Sequence, residues 1–492
     1  MKQCVRLLMP LLLAGCGLGG DDKPIVVSVI GPAPKLADRA RHPLEAPAAL
    51  LTDATAQGLV AFDASGQTEP ALAERWTVSN NGLSIIFRLS DVDWADGRPV
   101  EAADVARRLK LAIAQRSRNP YLPITGAITD IVAVTPQVVD VRLSSPRPNL
   151  LQLFAQPEFA VMQDDEGSGP YLASVAKDGA IVLRPRVMQD PEADPGAPLQ
   201  TDADTIRLRG ERVAAAVVRF AMGRSDGVLG GRFVDLPIAH AASELPPGAL
   251  RFDPATGLFG LTFAEAPSDS FIGTPTVRRA LAMAIDREAL VAAFDAPGWQ
   301  PETRLIGGDV ADLPMASEPD WADQPLDTRR TDAAASIAIW RSAHGEPPAL
   351  RVALPDGPGS RLVFARLAQD WRALGVAVTR VAADAPADLR LVDQVAPGEI
   401  ASWYLRRFAC AMKVPCTSES DRALIAARNA PTLAERTVML READRLITQN
   451  VPYIALARPL RWSLVGRRMT GWRESPRAFH PARHLRADRD RR

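Results

Sequence analysis

Apolar residues recur at helical spacing between residues 274 and 294, in the stretch TPTVRRALAMAIDREALVAAF. Val277, Leu281 and Ile285 fall on one face of a helix, and the alanines between them allow that face to pack closely. The Thr-Pro pair that opens the stretch suits an N-cap and a first helical position. We therefore predict one helix here, ended by the Ala-Pro-Gly of 296–298.

Other segments show the periodicity of strands and hairpins. Asn81-Gly82 lies between two apolar runs in RWTVSNNGLSIIF, which predicts a β-hairpin. A helix is predicted to begin near Glu101, with Val105 and Leu109 on one face. Farther along, the strands ALRVALP, VAVTRVA and ADLRLVD alternate with helical patterns, which is typical of βαβ units in an α/β protein.

The N-terminal pattern is that of an export signal. Lys2 and Arg6 flank a short n-region, and the apolar stretch LLMPLLLAG that follows is too short to span a membrane. It ends in Leu-Ala-Gly followed by Cys16, the pattern of a bacterial lipobox, so we expect cleavage before Cys16 and lipid attachment to it. The alternative is an ordinary secretory signal that contains a cysteine. No later run reaches about 18 apolar residues.

Length and charge narrow the function classes. A chain of 492 residues is too long for one core and suggests about three domain-sized units. Its 58 basic residues equal its 58 acidic residues in number, which argues against a general nucleic-acid binder.

Cysteine usage agrees with export. Beyond the signal and Cys16, only Cys410 and Cys416 remain, and two cysteines in an oxidising compartment favour a disulfide. A metal site is the alternative, but it needs further ligands and the five histidines are scattered. We therefore expect no metal and no cofactor.

Four motifs, in order, resemble the solute-binding proteins of peptide and nickel ABC importers, family 5 of the bacterial extracellular solute-binding proteins. The most specific is PALAERWTVSNNGLSIIFRLSDVDWADGRPVEAADV, followed by GSGPY, RFAMGRSDGVLGG and TVRRALAMAIDREAL. Two features depart from the family pattern. The strand FGLTFAEA lacks an asparagine that members usually carry, and LRLV stands where a glycine-tryptophan element is usual.

The resemblance implies an α/β, periplasmic-binding-protein-like fold of two hinged lobes, with a small α+β subdomain inserted in lobe one. At least two strands should cross the hinge. The helix of TVRRALAMAIDREAL should pack on the sheet of lobe two, with Asp286 and Arg287 at the surface and pairing locally. The expected segments are a signal peptide at 1–15, lobe one at 16–44, 169–262 and 460–492, the inserted subdomain at 45–168, and lobe two at 263–459.

The resemblance also suggests ligand-binding residues. Family members carry an aspartate, followed closely by a proline, that pairs with the amino terminus of a bound peptide, and Asp393 in DQVAP fits this pattern. Its alternative role is to cap a turn. Trp403 and Tyr404 are candidates for the pocket floor, although a place in the core is the favoured alternative for Trp403.

Charged groups supply the remaining candidates. Arg406 and Arg407 could hold an anionic group bidentately or cover a solvated face, and Arg461-Trp462 has the same ambiguity. The acidic run 164–166 is expected in a surface loop.

The function that follows is capture rather than catalysis. We expect a lipid-anchored periplasmic monomer that binds a peptide or peptide-like solute by lobe closure and passes it to the permease and ATPase of an ABC importer. A binding-fold lipoprotein acting as a sensor without an importer is the alternative. An exported hydrolase is disfavoured, because the chain has no H-E-x-x-H motif and its five histidines lack nearby partners along the sequence.

Overall fold

The computed structural model describes residues 23–35, 44–79, 81–163, 166–186, 204–308 and 310–486. The strands along these residues are β1 Ile25–Ile30, β2 Val60–Phe62, β3 Thr68–Pro70, β4 Ala73–Val78, β5 Ser84–Leu89, β6 Ile128–Thr135, β7 Val138–Leu143, β8 Met162–Gln163, β9 Glu166–Gly167, β10 Tyr171–Val175, β11 Ile181–Pro185, β12 Ile206–Glu211, β13 Gly227–Arg232, β14 Leu250–Asp253, β15 Gly257–Phe263, β16 Leu350–Ala353, β17 Val378–Val381, β18 Leu389–Val395, β19 Tyr453–Ala457 and β20 Arg461–Val465. The helices are α1 Ala46–Thr55, α2 Ala102–Ala112, α3 Leu150–Phe154, α4 Val213–Ala221, α5 Leu236–His240, α6 Pro275–Met283, α7 Arg287–Ala292, α8 Leu326–His344, α9 Pro358–Arg372, α10 Ala401–Leu405, α11 Ser418–Asn429 and α12 Leu433–Asn450.

Lobe one is built on a mixed sheet in the order β10-β11-β12-β1-β13-β20-β14. Strand β1 lies in its middle and runs parallel to β12 and β13, as expected of a strand buried on both faces. Strand β20 comes from the end of the chain and pairs antiparallel with β13 and β14. The predicted α/β fold class is confirmed.

Lobe two is built on a second sheet in the order β17-β16-β18-β15-β19. Strands β16, β17 and β18 are parallel to one another, whereas β15 pairs antiparallel with β18 and β19. The sequence places residues up to 262 in lobe one, and this boundary is wrong for β15. An apolar strand pattern shows that a strand is buried, but it does not show which of two sheets the strand joins.

Two short connections join the sheets. Residues 254–256 lead from β14 of lobe one to β15 of lobe two, and residues 458–460 lead back from β19 to β20. At least two strands are expected to cross between the lobes, and the structure has two three-residue connections there, which line the same groove.

The inserted subdomain carries a sheet in the order β4-β5-β7-β6, covered by α2. The predicted hairpin forms around Gly82, with Val78 opposite Ile85. Gly82 has φ +68°, a conformation that glycine adopts without steric cost. The C-terminal segment fastens this subdomain to lobe one, because Arg483 and His484 both contact the Glu69 carboxylate, at 2.5 and 2.7 Å.

The helix predicted between 274 and 294 is broken into α6 and α7. Asp286 caps α7, with its Oδ1 accepting a hydrogen bond from the Ala289 amide at 2.9 Å. Arg287 is not at the surface as expected, and it does not pair with Asp286. It is only 4% exposed, because its guanidinium reaches inward to the carbonyls of Ala455 and Glu302.

Cys410 and Cys416 form a disulfide in the structure, with their Cα atoms 5.2 Å apart. The predicted signal peptide, Cys16 and Asp164-Asp165 lie outside the described residues. Among the helices that the structure describes, none combines the length and the apolar character that a membrane crossing requires.

Candidate functional site

Asp393 lies near the end of β18, where lobe two meets lobe one. Its Oδ2 accepts hydrogen bonds from Arg232 Nε at 3.0 Å and from Arg232 Nη2 at 2.8 Å. Its Oδ1 accepts a hydrogen bond from Arg461 Nη1 at 2.7 Å. The Asp393 side chain is 3% exposed, so both oxygens of a buried carboxylate are occupied by guanidinium groups.

The two arginines are brought together by the register of the lobe-one sheet. Arg232 is the last residue of β13 and Arg461 is the first of β20, and the two are register partners. Beside them Trp462 lies against Gly231, where an added Cβ would come 2.2 Å from the indole ring. The Trp462 Nε1 also donates to the Arg232 carbonyl at 2.9 Å. A tight backbone contact thus aims both guanidinium groups at lobe two.

Electrostatics at this junction follow from that geometry. Burial acts to lower the pKa of Arg232, but the Asp393 carboxylate outweighs it and raises the pKa. Asp235 and Glu45 also act on Arg232 in the same direction. Burial raises the pKa of Asp235, although Arg232 opposes this shift. Charge-assisted hydrogen bonds of this kind are the strong ones in proteins.

The structure places Trp403 and Tyr404 on α10, in a continuous apolar cluster with the inserted subdomain. Both side chains are buried, and their rings meet edge to face at 4.8 Å. Burial raises the pKa of Tyr404 to about 12. The Arg407 guanidinium covers Trp403 at 4.9 Å and donates to the Gln394 side chain. Trp403 is therefore linked to β18 one residue beyond Asp393.

Arg406 is half-buried at the C-terminal end of α10. Burial, together with the neighbouring charges of Arg407 and Arg428, lowers its pKa to about 10. Within the described part of the chain, it forms no ion pair with a carboxylate. Arg406 is consequently a cation whose charged neighbours repel it, as expected of a group that could hold an anion.

The loop after β18 is covered by the inserted subdomain. Gln156 Nε2 donates to the Pro397 carbonyl, and Gln152 Oε1 accepts from the Glu399 amide, both at 2.7 Å. The structure thus brings Asp393, Pro397, Trp403 and Arg407 into one region. No local pattern singles out Arg232, Gln152 or Gln156, since their partners lie more than 160 residues away along the chain.

A separate groove of about 480 Å³ lies at the two connections between the lobes. Its lining comes from β14, from both connections and from lobe two, and includes Arg251, Trp299, Arg458 and Glu474. None of the four predicted ligand-binding residues lines it. Among the described residues, no group of three or more His, Cys, Asp or Glu side chains is arranged to hold a metal ion.

Comparison with known proteins gives a consistent picture of the fold. The family model described as bacterial extracellular solute-binding proteins, family 5, middle region, matches residues 67–396, which is more than half of the chain. The probable deoxycholate-binding periplasmic protein YgiS of Escherichia coli K12 is 26% identical over 263 residues. That match covers 48% of this chain and 48% of YgiS, so it spans about half the length of this relative.

Two solved structures are similar over nearly the whole chain. The murein tripeptide binding protein MppA of Escherichia coli has a TM-score of 0.77 at 17% identity, covering 94% of this chain and 98% of MppA. Haemophilus influenzae OppA, in complex with the peptide RPPGFSPFR, has a TM-score of 0.76 at 15% identity, covering 94% and 99%. At these identities the similarity establishes the fold alone.

Proposed function

Because this chain belongs to the bacterial extracellular solute-binding proteins of family 5, we propose that it captures a peptide or peptide-like solute between its two lobes and delivers it to an ABC permease. The observation that carries this proposal is the architecture itself. Two α/β lobes are joined by two short connections, and polar groups from both lobes meet at Asp393.

Capture needs no bond to be made or broken. A solute that contacts both lobes favours the closed arrangement by its differential affinity, whereas one that contacts a single lobe does not. Hinge closure of this kind leaves each lobe intact. Backbone groups along the cleft would hold a peptide with little regard to its side chains, and a few charged groups would fix its ends.

The proposed ligand region comprises the junction at Asp393 and the adjoining segment with Trp403, Tyr404 and Arg406. Arg406 supports this assignment because it is a half-buried cation with arginines as its charged neighbours. A carboxylate of the solute would relieve that repulsion through bidentate hydrogen bonds.

We further propose that the protein acts in the periplasm as a monomer, held to a membrane by lipid on Cys16. An importer needs a permease and an ATPase, which would be its partners. The sequence L-A-G-C at 13–16 supports the anchor. Labelling of cells with a radioactive or alkyne-tagged fatty acid tests it, since Cys16→Ser should abolish the label and also the membrane association.

The experiment that tests capture is native mass spectrometry of the protein purified gently from its own periplasm. We expect a bound small molecule that is lost on partial unfolding. Arg406→Gln should weaken its rebinding about tenfold or more, in line with the 1.5–3 kcal/mol of a hydrogen bond to a charged group. Trp299→Ala, in the separate groove, is the control. If Trp299→Ala alone removes the molecule, the solute lies in that groove instead.

A further inference from the structure

Arg232 occupies a place at Asp393 that a ligand could otherwise take. We infer that Arg232 is the permanent counter-ion of Asp393, and that the solute end reaching this junction carries no free ammonium group. This inference rests on the proposed function, because it concerns which solutes the cleft admits. It assigns Arg232 as a specificity-determining residue and gives Asp393 a structural role between the lobes.

The hydrogen-bonding capacity of Asp393 is the first step of the argument. Three charge-assisted hydrogen bonds of 2.7 to 3.0 Å already reach its two oxygens, and its side chain is 3% exposed. An ammonium group could approach only after a guanidinium group had left. Removing one partner of a buried ion pair is strongly unfavourable unless another charge replaces it in good geometry.

The two arginines differ in how firmly they are held. Arg461 is 13% exposed and also donates to the Leu460 carbonyl at 2.9 Å, so it is fixed at the crossing between the lobes. Arg232 is 45% exposed and is the partner that could swing away. Even then Asp393 would remain paired with Arg461. An arriving ammonium would therefore meet a neutralised carboxylate beside a guanidinium group.

The surroundings of Arg232 favour its staying in place. Asp235 of lobe one, Glu45 just before α1 and Asp393 of lobe two all act on it, so the guanidinium lies among negative groups of both lobes. Phe233, the next residue, is fully buried and meets Phe259 of β15 edge to face at 4.9 Å. The backbone that carries Arg232 is thus anchored to lobe two by an apolar contact as well.

A carboxylate kept open for a ligand and a carboxylate held by two arginines respond oppositely to mutation. In the first case Asp393→Asn weakens ligand binding and leaves the ligand-free protein as stable as before. In the second it leaves two guanidinium groups facing each other without a counter-ion, and the ligand-free protein loses stability. The difference can be measured with no solute present.

The test is a thermal double-mutant cycle on the ligand-free full chain with Asp393→Asn, Arg232→Gln and both together. We expect Asp393→Asn to lower Tm by about 5 °C or more, and Arg232→Gln to recover part of that loss in the double variant. Arg232→Gln alone should lower Tm by about 2 °C. Asp388→Asn, which breaks the more exposed Arg351–Asp388 pair just before β18, is the matched control and should change Tm less.

Additive effects, or an unchanged Tm for both single variants, would overturn the inference. A second arm compares Ala-Ala-Ala with N-acetyl-Ala-Ala-Ala by titration calorimetry. Wild-type protein that binds the free amine tenfold more tightly, with loss of that preference in Asp393→Asn, would also overturn it. Because the thermal cycle uses no solute, a failure of solute capture would leave its result intact, and the two failures remain distinguishable.

Discussion

Two arginines of this chain are held by partners of different kinds. Arg287 lies inside lobe two, 4% exposed, and donates to the carbonyls of Ala282, Glu302 and Ala455. Burial, with a further contribution from the Arg329 charge, lowers its pKa to about 9. Arg232 lies between the lobes, and the carboxylate it meets raises its pKa.

The contrast shows what each partner can do. Main-chain carbonyls are fixed by the fold, so Arg287 joins elements of a single lobe, and it contacts Trp321 as well, at 5.1 Å. A carboxylate on another lobe is fixed only while the lobes are together. The ion pair of Arg232 therefore depends on the relative position of the two lobes. The hydrogen bonds of Arg287 stabilise lobe two in any position of lobe one.

The largest effect is expected at Arg287. Arg287→Met keeps the side-chain length but leaves at least three buried carbonyls without their donor, so the free energy of unfolding should fall by about 3 kcal/mol. Urea unfolding followed by tryptophan fluorescence measures it. The control is Glu288→Gln on the exposed side of the same helix, expected to change stability by less than about 0.5 kcal/mol. Equal effects would mean that Arg287 is not needed within lobe two.

The next largest loss of stability is expected at Gly231, which precedes Arg232 and packs against Trp462. Gly231→Ala places a Cβ 2.2 Å from the Trp462 ring, which should cost about 2–3 kcal/mol in unfolding free energy through overpacking. Gly179→Ala is the control, because its added Cβ meets nothing within 4 Å and only its φ of +77° is unfavourable. The control should cost about 1 kcal/mol. A smaller loss for Gly231→Ala than for Gly179→Ala would contradict the tight junction.

Asp53, a partly buried carboxyl group, extends the comparison to the dependence of stability on pH. Burial raises the pKa of Asp53 from 3.8 to about 6, despite opposing contributions from Arg483 and His484. The folded protein binds this proton more tightly than the unfolded chain, so stability present below pH 4 is lost as pH rises through 6. Asp53→Asn should remove this decline and add about 2 kcal/mol at pH 8 relative to wild type.

Asp63 is the control for Asp53, because its pKa is shifted in the opposite direction. Partial burial acts to raise the pKa of Asp63, but hydrogen bonds from Gln67 and Ser65 outweigh it and lower the pKa. Asp63→Asn should therefore reduce stability above pH 4, where the carboxylate is charged. Urea unfolding at pH 4, 6 and 8 separates the two variants. If the unfolding free energies of wild type and Asp53→Asn change with pH in the same way, Asp53 does not cause the loss of stability at higher pH.

The smallest effect concerns the cap that positions Arg287. Asp286→Ala removes the acceptor for the Ala289 amide and should cost about 1 kcal/mol, whereas Asp286→Asn can still accept and should cost less than half as much. Equal losses in urea unfolding would show that the cap is not what places the start of α7.

Local pattern sufficed for much of the fold. Asn81-Gly82 predicted its hairpin, and the spacing of Val105 and Leu109 predicted α2, because both depend on neighbours in sequence. Sequence pattern failed to predict local structure where that structure depends on residues far away along the chain. The break before α7 depends on Asp370, whose carboxylate accepts from the Asp286 amide at 3.0 Å. Nothing in the continuing alanine spacing indicates that contact.

The candidate site was only partly predictable. The resemblance singled out Asp393, and Arg461 was noted as ambiguous, but Arg232 was not noted at all. Its partner lies 161 residues along the chain, and their meeting depends on how two separate sheets are juxtaposed. A motif read along one strand contains no information on which charges face it from another lobe. Whether Asp393, Trp403, Tyr404 and Arg406 bind ligand stays a prediction.

The paired connections at 254–256 and 458–460 also have a mechanical consequence. Two adjacent connections allow the lobes to rotate about the axis that joins the connections, and they resist rotation about any perpendicular axis. Pro254 and Pro459 stiffen these connections, because each proline ring fixes its backbone φ angle. Proteolytic cleavage of either connection would leave the lobes joined by one connection alone. The lobes could then rotate about several axes, and closure would no longer follow a single direction.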